Sequence, residues 1–363
     1  MKVLLEAAHP AHVHFLIPIG DALRARGDDV ALAVRDKDVT RDLAEATDID
    51  VLLPPRSGTA WKRLPSGRVR QIAELAVRVR WLRKVVRRGR FDLVVTRNPS
   101  GVIAGWLARV PTIFDTDDGR AAGIHFSLAR PFASVITTPE LLTEDLGPRQ
   151  RRYPGLKASV FLHPNRFRRD ATVRQRYGIE DGDSLVVARF SANTASHDAG
   201  VRSVEPAVIE DIVRRCSELA HVLVSVEGRQ SVIVPSRQSS TLSSSVPVQP
   251  RDFLHLLAGA DLHVGDSGSV TIEAAVLGVP TVRIADTRRS IITELSAIGL
   301  VHDFSLAQLE EFTHELDVAL RLLPQVRETL DPTVAGLSPR FEDVLPWFVD
   351  VCDSVHASRK KSS

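Results

Sequence analysis

The chain has two cysteines in 363 residues, Cys216 and Cys352, and they show no metal-ligand spacing. That excludes a disulfide-stapled fold and points to a reducing compartment, so a cytoplasmic protein is expected. No apolar run approaches the ~20 residues that a membrane-spanning helix needs. The opening stretch, MKVLLEAAHP, carries Glu6 where a leader would be apolar and shows no cleavage site, so it reads as a first strand rather than a signal peptide. A net charge of only +2 predicts no nucleic-acid partner. The first strand is not followed by G-x-G-x-x-G, so the ordinary dinucleotide fingerprint is missing. No fixed-period repeat is present either.

What is present is an alternation of short apolar strands with helical patterns. Strands are expected at Lys2 to Ala8, Asp29 to Val34, Ile49 to Leu53, Phe91 to Thr96, Pro111 to Phe114 and Ser134 to Thr138, the last of the first half. The period is lost across Arg151 to Arg168, where Pro and Gly intervene. It restarts at Ser184 to Ala188 and continues through Val222 to Val226, Ala258 to Val264 and Thr281 to Ile284. Pro235 to Pro247 is Ser-rich and reads as a loop. The pattern predicts two tandem Rossmann-like, doubly wound α/β domains with a cleft between them. The expected boundaries are 1–157 for an N-terminal Rossmann-like domain, 158–337 for a C-terminal Rossmann-like domain, and 338–363 for a terminal helix and frayed tail.

The most informative stretch is Gly265 to Pro280, GDSGSVTIEAAVLGVP. An apolar strand leads into Gly265, Asp266, Ser267, Gly268 and Ser269, and a helix follows that ends at Gly278 and Pro280. Helix first-turn amides have no partner inside the helix, and the dipole favours an anion there. Glu273 lies one turn beyond Ser269 on the same face, where a carboxylate can accept from the vicinal hydroxyls of a ribose. The stretch therefore reads as a site for a nucleoside diphosphate. Arg189, Ser191 and Asn193 follow one strand of the same domain, and Glu227 follows another. GDSG also occurs around the nucleophile of serine proteases, but their all-β fold does not fit this alternation.

The first domain offers different chemistry. His9, His12 and His14 follow the first strand in a loop, Asn98 follows the fourth, and Asp115, Asp117 and Asp118 follow the fifth. Histidines and carboxylates are the groups of proton transfer. His12, His14 and Asp115 are the candidate bases, with Asn98, Asp117 and Asp118 on the acceptor side. Glycosyl transfer needs both sets: a base for the acceptor hydroxyl, and positive charge or helix dipole for the departing diphosphate. No metal is required for that. Residues 61–90 carry eleven Lys or Arg against one acid, Glu74, with apolar residues at helical spacing. One reading is a helix packed on the sheet with its arginines reaching water. The other is contact with an anionic membrane or a lipid-linked or anionic acceptor.

Six blocks carry a family resemblance: HPAHVHFLIPIGDALRARG, AVRDKDVT, YPGLKASVFLHPNRF, ARFSANTASHD, SVEGR and GDSGSVTIEAAVLGVPTVR. Over Lys2 to about Gly299 the chain resembles predicted glycosyltransferases of GT-B fold. These carry a domain of unknown function and are related to the non-hydrolysing UDP-N-acetylglucosamine 2-epimerases. The resemblance implies a nucleotide-sugar donor, UDP by neighbourhood, held in the second domain; no cofactor or metal is expected. By the same analogy Gly265 to Ser269 hold the diphosphate, Glu273 the ribose, and His12 or His14 supplies the base. Two alternatives share this fold: a nucleotide-sugar 2-epimerase and a non-catalytic nucleotide-binding subunit. Against the epimerase, TDDGRAAG stands where those enzymes carry a His-Val-Glu-Ala-Gly run.

Overall fold

The computed structural model describes residues 1–35, 38–45, 47–54, 67–191, 203–238, 244–287, 290–323 and 341–362. The chain forms two compact units, Met1–Phe161 with Glu342–Ser363, and Leu162–Phe341. The terminal helix Leu345–Ser362 thus returns to the first unit. It is continuous through Ser358, a stretch expected to fray.

The first unit is a seven-stranded parallel sheet in the order β3-β2-β1-β4-β5-β6-β7. The strands are β1 Lys2–Ala7, β2 Asp29–Val34, β3 Asp50–Leu52, β4 Leu93–Thr96, β5 Thr112–Asp115, β6 Val135–Pro139 and β7 Gln150–Tyr153. Their near-continuous apolar runs are what a parallel sheet covered on both faces requires. Alternation along β1 divides the unit. Val3, Leu5 and Ala7 face Phe15, Ile19 and Phe348, from the helix Pro10–Ala25 and the terminal helix. Leu4 packs on the opposite face with Val79, Leu82 and Val86 of the helix Arg68–Gly89. Each fully buried Val, Leu, Ile or Phe among them contributes ~1.5–3 kcal/mol. Glu6 has the parity of Leu4, so a carboxylate enters that apolar layer. It is answered by Arg78, whose Nη2 lies 2.5 Å from Glu6 Oε1, and by the hydroxyls of Thr96 and Ser100.

The second unit repeats the plan with the order β11-β10-β9-β8-β12-β13-β14. Its strands are β8 Leu185–Phe190, β9 His221–Val226, β10 Val232–Val234, β11 Val246–Pro247, β12 Leu262–Gly265, β13 Thr281–Ile284 and β14 His302–Phe304. All pairs are parallel except β10, which runs antiparallel to both β9 and β11. The helices Pro206–Ser217 and Leu309–Arg321 cover one face, and Phe253–Ala258 and Gly268–Val276 the other.

Several edges differ from the sequence expectation. β7 follows β6, inside the stretch read as the crossover. Only Tyr153 of its four residues is buried, so it shows no apolar period. β11 lies in the Ser-rich segment expected to be a loop, and β14 is a further edge strand. These short strands are recruited by a neighbour's open ladder rather than by their own propensity. The helix after β1 begins at Pro10 with His9 as its N-cap. His12 and His14 are therefore helical residues rather than loop residues, because Pro is favoured at the first helical position.

Candidate functional site

In each sheet the strand order reverses beside the first strand, between β1 and β4 and between β8 and β12. In open parallel sheets, ligands bind outside the carboxyl ends of the strands at such a point. The polar residues collect there in both units.

In the first unit, the end of β1 supplies His12 and the end of β4 supplies Arg97 and Asn98. Asn98 is the N-cap of the helix Pro99–Ala108, yet its side chain does not cap that helix. Its Nδ2 instead lies 3.2 Å from His12 Nδ1, and the Ala8 amide approaches the same nitrogen at 3.5 Å. A backbone amide can only donate, so Nδ1 accepts and Nε2 carries the proton. Burial, then the charges of Arg97, His9 and Lys157, hold His12 well below the usual histidine range, against the pull of Asp117. His12 is thus a neutral imidazole presenting an N–H. His14 is not part of this group. Two residues along a helix is a turn of about 200°, so the two rings leave the helix on opposite sides. His14 stacks on Phe161 at 5.7 Å between ring centres, and burial pushes it down to about 4.

The aspartates after β5 are largely committed to cations. Asp115 is buried; it accepts from Thr137 Oγ1 at 2.9 Å, and Arg97 Nε stands 3.4 Å from its other oxygen. Burial raises its carboxyl to about 6, against the opposing charge of Arg97. Asp117 pairs with both Arg97 and Lys157. Asp118 is half-buried, and its charge acts on the same two cations. Arg97 and Lys157 were not singled out from the sequence. The available signal was position: Arg97 is the first residue beyond β4, and Lys157 lies in the block YPGLK.

In the second unit, β8 and β12 are neighbours, with Gly265 in register with Arg189. Gly265 has φ +151°, and a Cβ there would stand 1.9 Å from the Arg189 carbonyl oxygen. Only glycine permits this approach. Asp266 bends back across the junction and accepts from the Ser191 amide at 2.7 Å. It therefore ties the two strand ends together, and burial raises its carboxyl. Ser267 is the N-cap of the helix Gly268–Val276, but its side chain makes no capping bond. The first-turn amides, those of Gly268 and Ser269 among them, are the orphans that an anion can satisfy.

Arg189 stands beside this terminus, donating to Ser225 Oγ at 2.8 Å. Burial lowers its guanidinium, while the charges of Glu227, Glu273 and Asp266 act in the opposite direction. Glu273 is buried one turn into the helix, and Glu227 is exposed beyond β9. The structure thus gathers Arg189, Ser191, Glu227, Gly265 to Ser269 and Glu273 at one strand end. Asn193 lies outside the described residues. Among those residues, no group of three His, Cys, Asp or Glu is placed to hold a metal ion. No helix among them is long and apolar enough to cross a membrane.

Two Rossmann-like sheets of this order define a GT-B-type fold, and comparison with solved structures agrees. The S. aureus MnaA–UDP co-structure superposes with a TM-score of 0.64 at 12% identity, covering 95% of this chain and 94% of that one. A Listeria monocytogenes structure described as a putative UDP-N-acetylglucosamine 2-epimerase gives 0.62 at 12% identity, over 100% and 97%. The spinosyn rhamnosyltransferase SpnG complexed with thymidine diphosphate gives 0.55 at 15% identity, over 100% of both chains. At such identities the likeness is one of fold. Residues 18–144 match the family model of the glycosyl transferase 4-like domain. That match falls within the first unit and begins beyond His12 and His14. No curated protein matches the chain.

Proposed function

We propose that the protein is a metal-independent glycosyltransferase that moves a sugar from a nucleoside-diphosphate donor to a hydroxyl-bearing acceptor. The observation that carries the reading is the strand end in the second unit. There an uncapped helix N-terminus, Gly265 and Arg189 stand together, with Glu273 one turn away. That set suits a diphosphate and its ribose. Solved proteins of the same fold hold UDP and thymidine diphosphate, and UDP is the proposed nucleotide here.

The departing diphosphate would be stabilised by the helix amides and by Arg189. Gly265, Gly268, Ser267 and Ser269 would line the phosphates, and Glu273 would accept from the ribose hydroxyls. Glu227 and Ser191 would stand at the edge of the same site. On the acceptor side, His12 is the group able to meet a substrate, because Asp115 and Asp117 are occupied by Arg97, Thr137 and Lys157. As held by Asn98 and Ala8, its Nε2–H would donate to a substrate oxygen. To act as a base, His12 would have to move that proton to Nδ1 and release the Ala8 amide. Asn98 is thus a positioning residue.

A second reading, a nucleotide-sugar 2-epimerase, is favoured by the epimerases among the structural neighbours. Incubation with the nucleotide sugar alone separates the two, since an epimerase needs no acceptor. Calorimetric titration of UDP tests the donor site. Glu273→Ala should weaken binding by about tenfold or more, the loss of hydrogen bonds to a charged acceptor. His12→Ala should leave binding nearly unchanged while lowering turnover. Equal loss of affinity in both variants would end this division of labour.

A further inference from the structure

The helix Arg68–Gly89 carries two apolar stripes, and the fold uses one. Val79, Leu82 and Val86 are buried against the first unit's sheet. The second stripe faces water. Val69 and Ile72 are each 67% exposed and Val77 is 40% exposed, with Ala76 exposed between them. Val69, Ile72, Ala76, Arg80, Arg83 and Arg87 follow the i, i+3, i+7 spacing of a single helix face. That face is apolar for two turns and cationic beyond. Lys84 and Arg88 flank the cationic half and are exposed too.

Its electrostatics are one-sided. Glu74 is the helix's one acid, and it is paired with Arg35. Among the described residues, no carboxylate pairs with Arg80, Lys84, Arg87 or Arg88. The patch extends onto the neighbouring helix Pro99–Ala108. Arg83 Nε donates to the Leu107 carbonyl at 3.3 Å, and Trp106 and Leu107 are 52% and 42% exposed. A helix that only packed on the sheet with its arginines in water would account for the buried stripe and the cations, but not for an exposed row of Val and Ile.

We propose that this face docks on an anionic lipid bilayer. The apolar turns with Trp106 and Leu107 enter the headgroup boundary, and the arginines and lysine meet lipid phosphates. A purely polyanionic partner such as a nucleic acid would use the cations and leave the apolar turns wet. The inference does not depend on the reaction proposed above.

Co-sedimentation of the full chain with phosphatidylcholine vesicles containing phosphatidylglycerol tests it, with no sugar nucleotide present. The protein should pellet at low ionic strength, be released by salt, and remain in solution with phosphatidylcholine alone. Val69→Asp with Ile72→Asp should reduce binding by at least tenfold, the loss of two inserted side chains. A set of Arg80→Gln, Lys84→Gln, Arg87→Gln and Arg88→Gln should reduce it by about fivefold per site. All six positions face solvent, so both variants should melt like the parent. Failure to bind the anionic vesicles would overturn the proposal. So would a charge variant that fails while Val69→Asp with Ile72→Asp binds normally, since that pattern marks a polyanion site rather than a bilayer.

Discussion

Replacing Asp115 by Asn should make the first unit more stable at neutral pH, although it removes one half of an ion pair. Burial raises the carboxyl from 3.8 to about 6 despite the neighbouring Arg97. The native state therefore holds the proton more tightly than the unfolded chain, in which Asp titrates near 3.9. Stability is full below about pH 4 and is lost as pH rises through 6, because there the native state alone must ionise a buried group. That difference corresponds to ~3 kcal/mol at neutral pH. Asn cannot ionise, yet its carbonyl oxygen can still accept from Thr137, and Arg97 retains Asp117. The stability of Asp115→Asn minus that of the parent should therefore rise by ~3 kcal/mol between about pH 4 and pH 7. The tryptophans among the described residues, Trp81, Trp106 and Trp347, belong to the first unit. Their fluorescence during urea unfolding reports this unit. Parallel curves for the two proteins across that range would refute the reasoning. They would mean that Arg97, not desolvation, governs Asp115.

Four other outcomes are expected. Gly265→Ala would place a Cβ 1.9 Å from the Arg189 carbonyl, and should destabilise the second unit by ~2 kcal/mol or more; a parent-like denaturation midpoint would contradict the close approach. Arg78→Ala should cost ~3 kcal/mol or more by leaving Glu6 buried without its cation. Adding Glu6→Gln should recover most of that loss, as read from urea midpoints, and no recovery would mean that Arg78 acts through packing alone. His263 is buried, its Nδ1 is 3.0 Å from the Val187 carbonyl, and desolvation lowers it to about 4. It binds a proton more readily when unfolded, so it should withdraw ~3 kcal/mol from the second unit as pH falls from about 6.5 to 4. Its imidazole NMR signals should stay in the neutral form as pH falls through 6.5 and change only towards about pH 4, and titration near 6.5 would show that the ring is wet.

The two-sheet plan was legible because parallel strands buried on both faces must be written as apolar runs, and helices between them as amphipathic periods. The edge strands β7, β11 and β14 were not legible. Each is short and mostly exposed or half-buried, so it carries no apolar run of its own, and it takes its conformation from the open ladder of the strand before it. The strand–helix junction Gly265 to Glu273 could be read directly because its elements are contiguous: strand, glycine, helix start and an acid one turn on. The first unit's cluster could not. Sequence pointed to His12, Asn98 and Asp115, but not to Arg97 and Lys157, which occupy the aspartates.

The amino-acid order by itself therefore determined the alternating α/β architecture and the helix-terminus geometry, since both are built from residues within a few positions of one another. Only the tertiary structure decided which charges cancel. Arg78 reaches Glu6 across 72 positions, and Asn98 meets His12 across 86. Tertiary folding also decided that His14 is turned away while the terminal helix joins the first sheet. Pairings between strand ends follow from the order of strands in a sheet. That order is set by the summed burial of whole helices and strands rather than by any short run of residues.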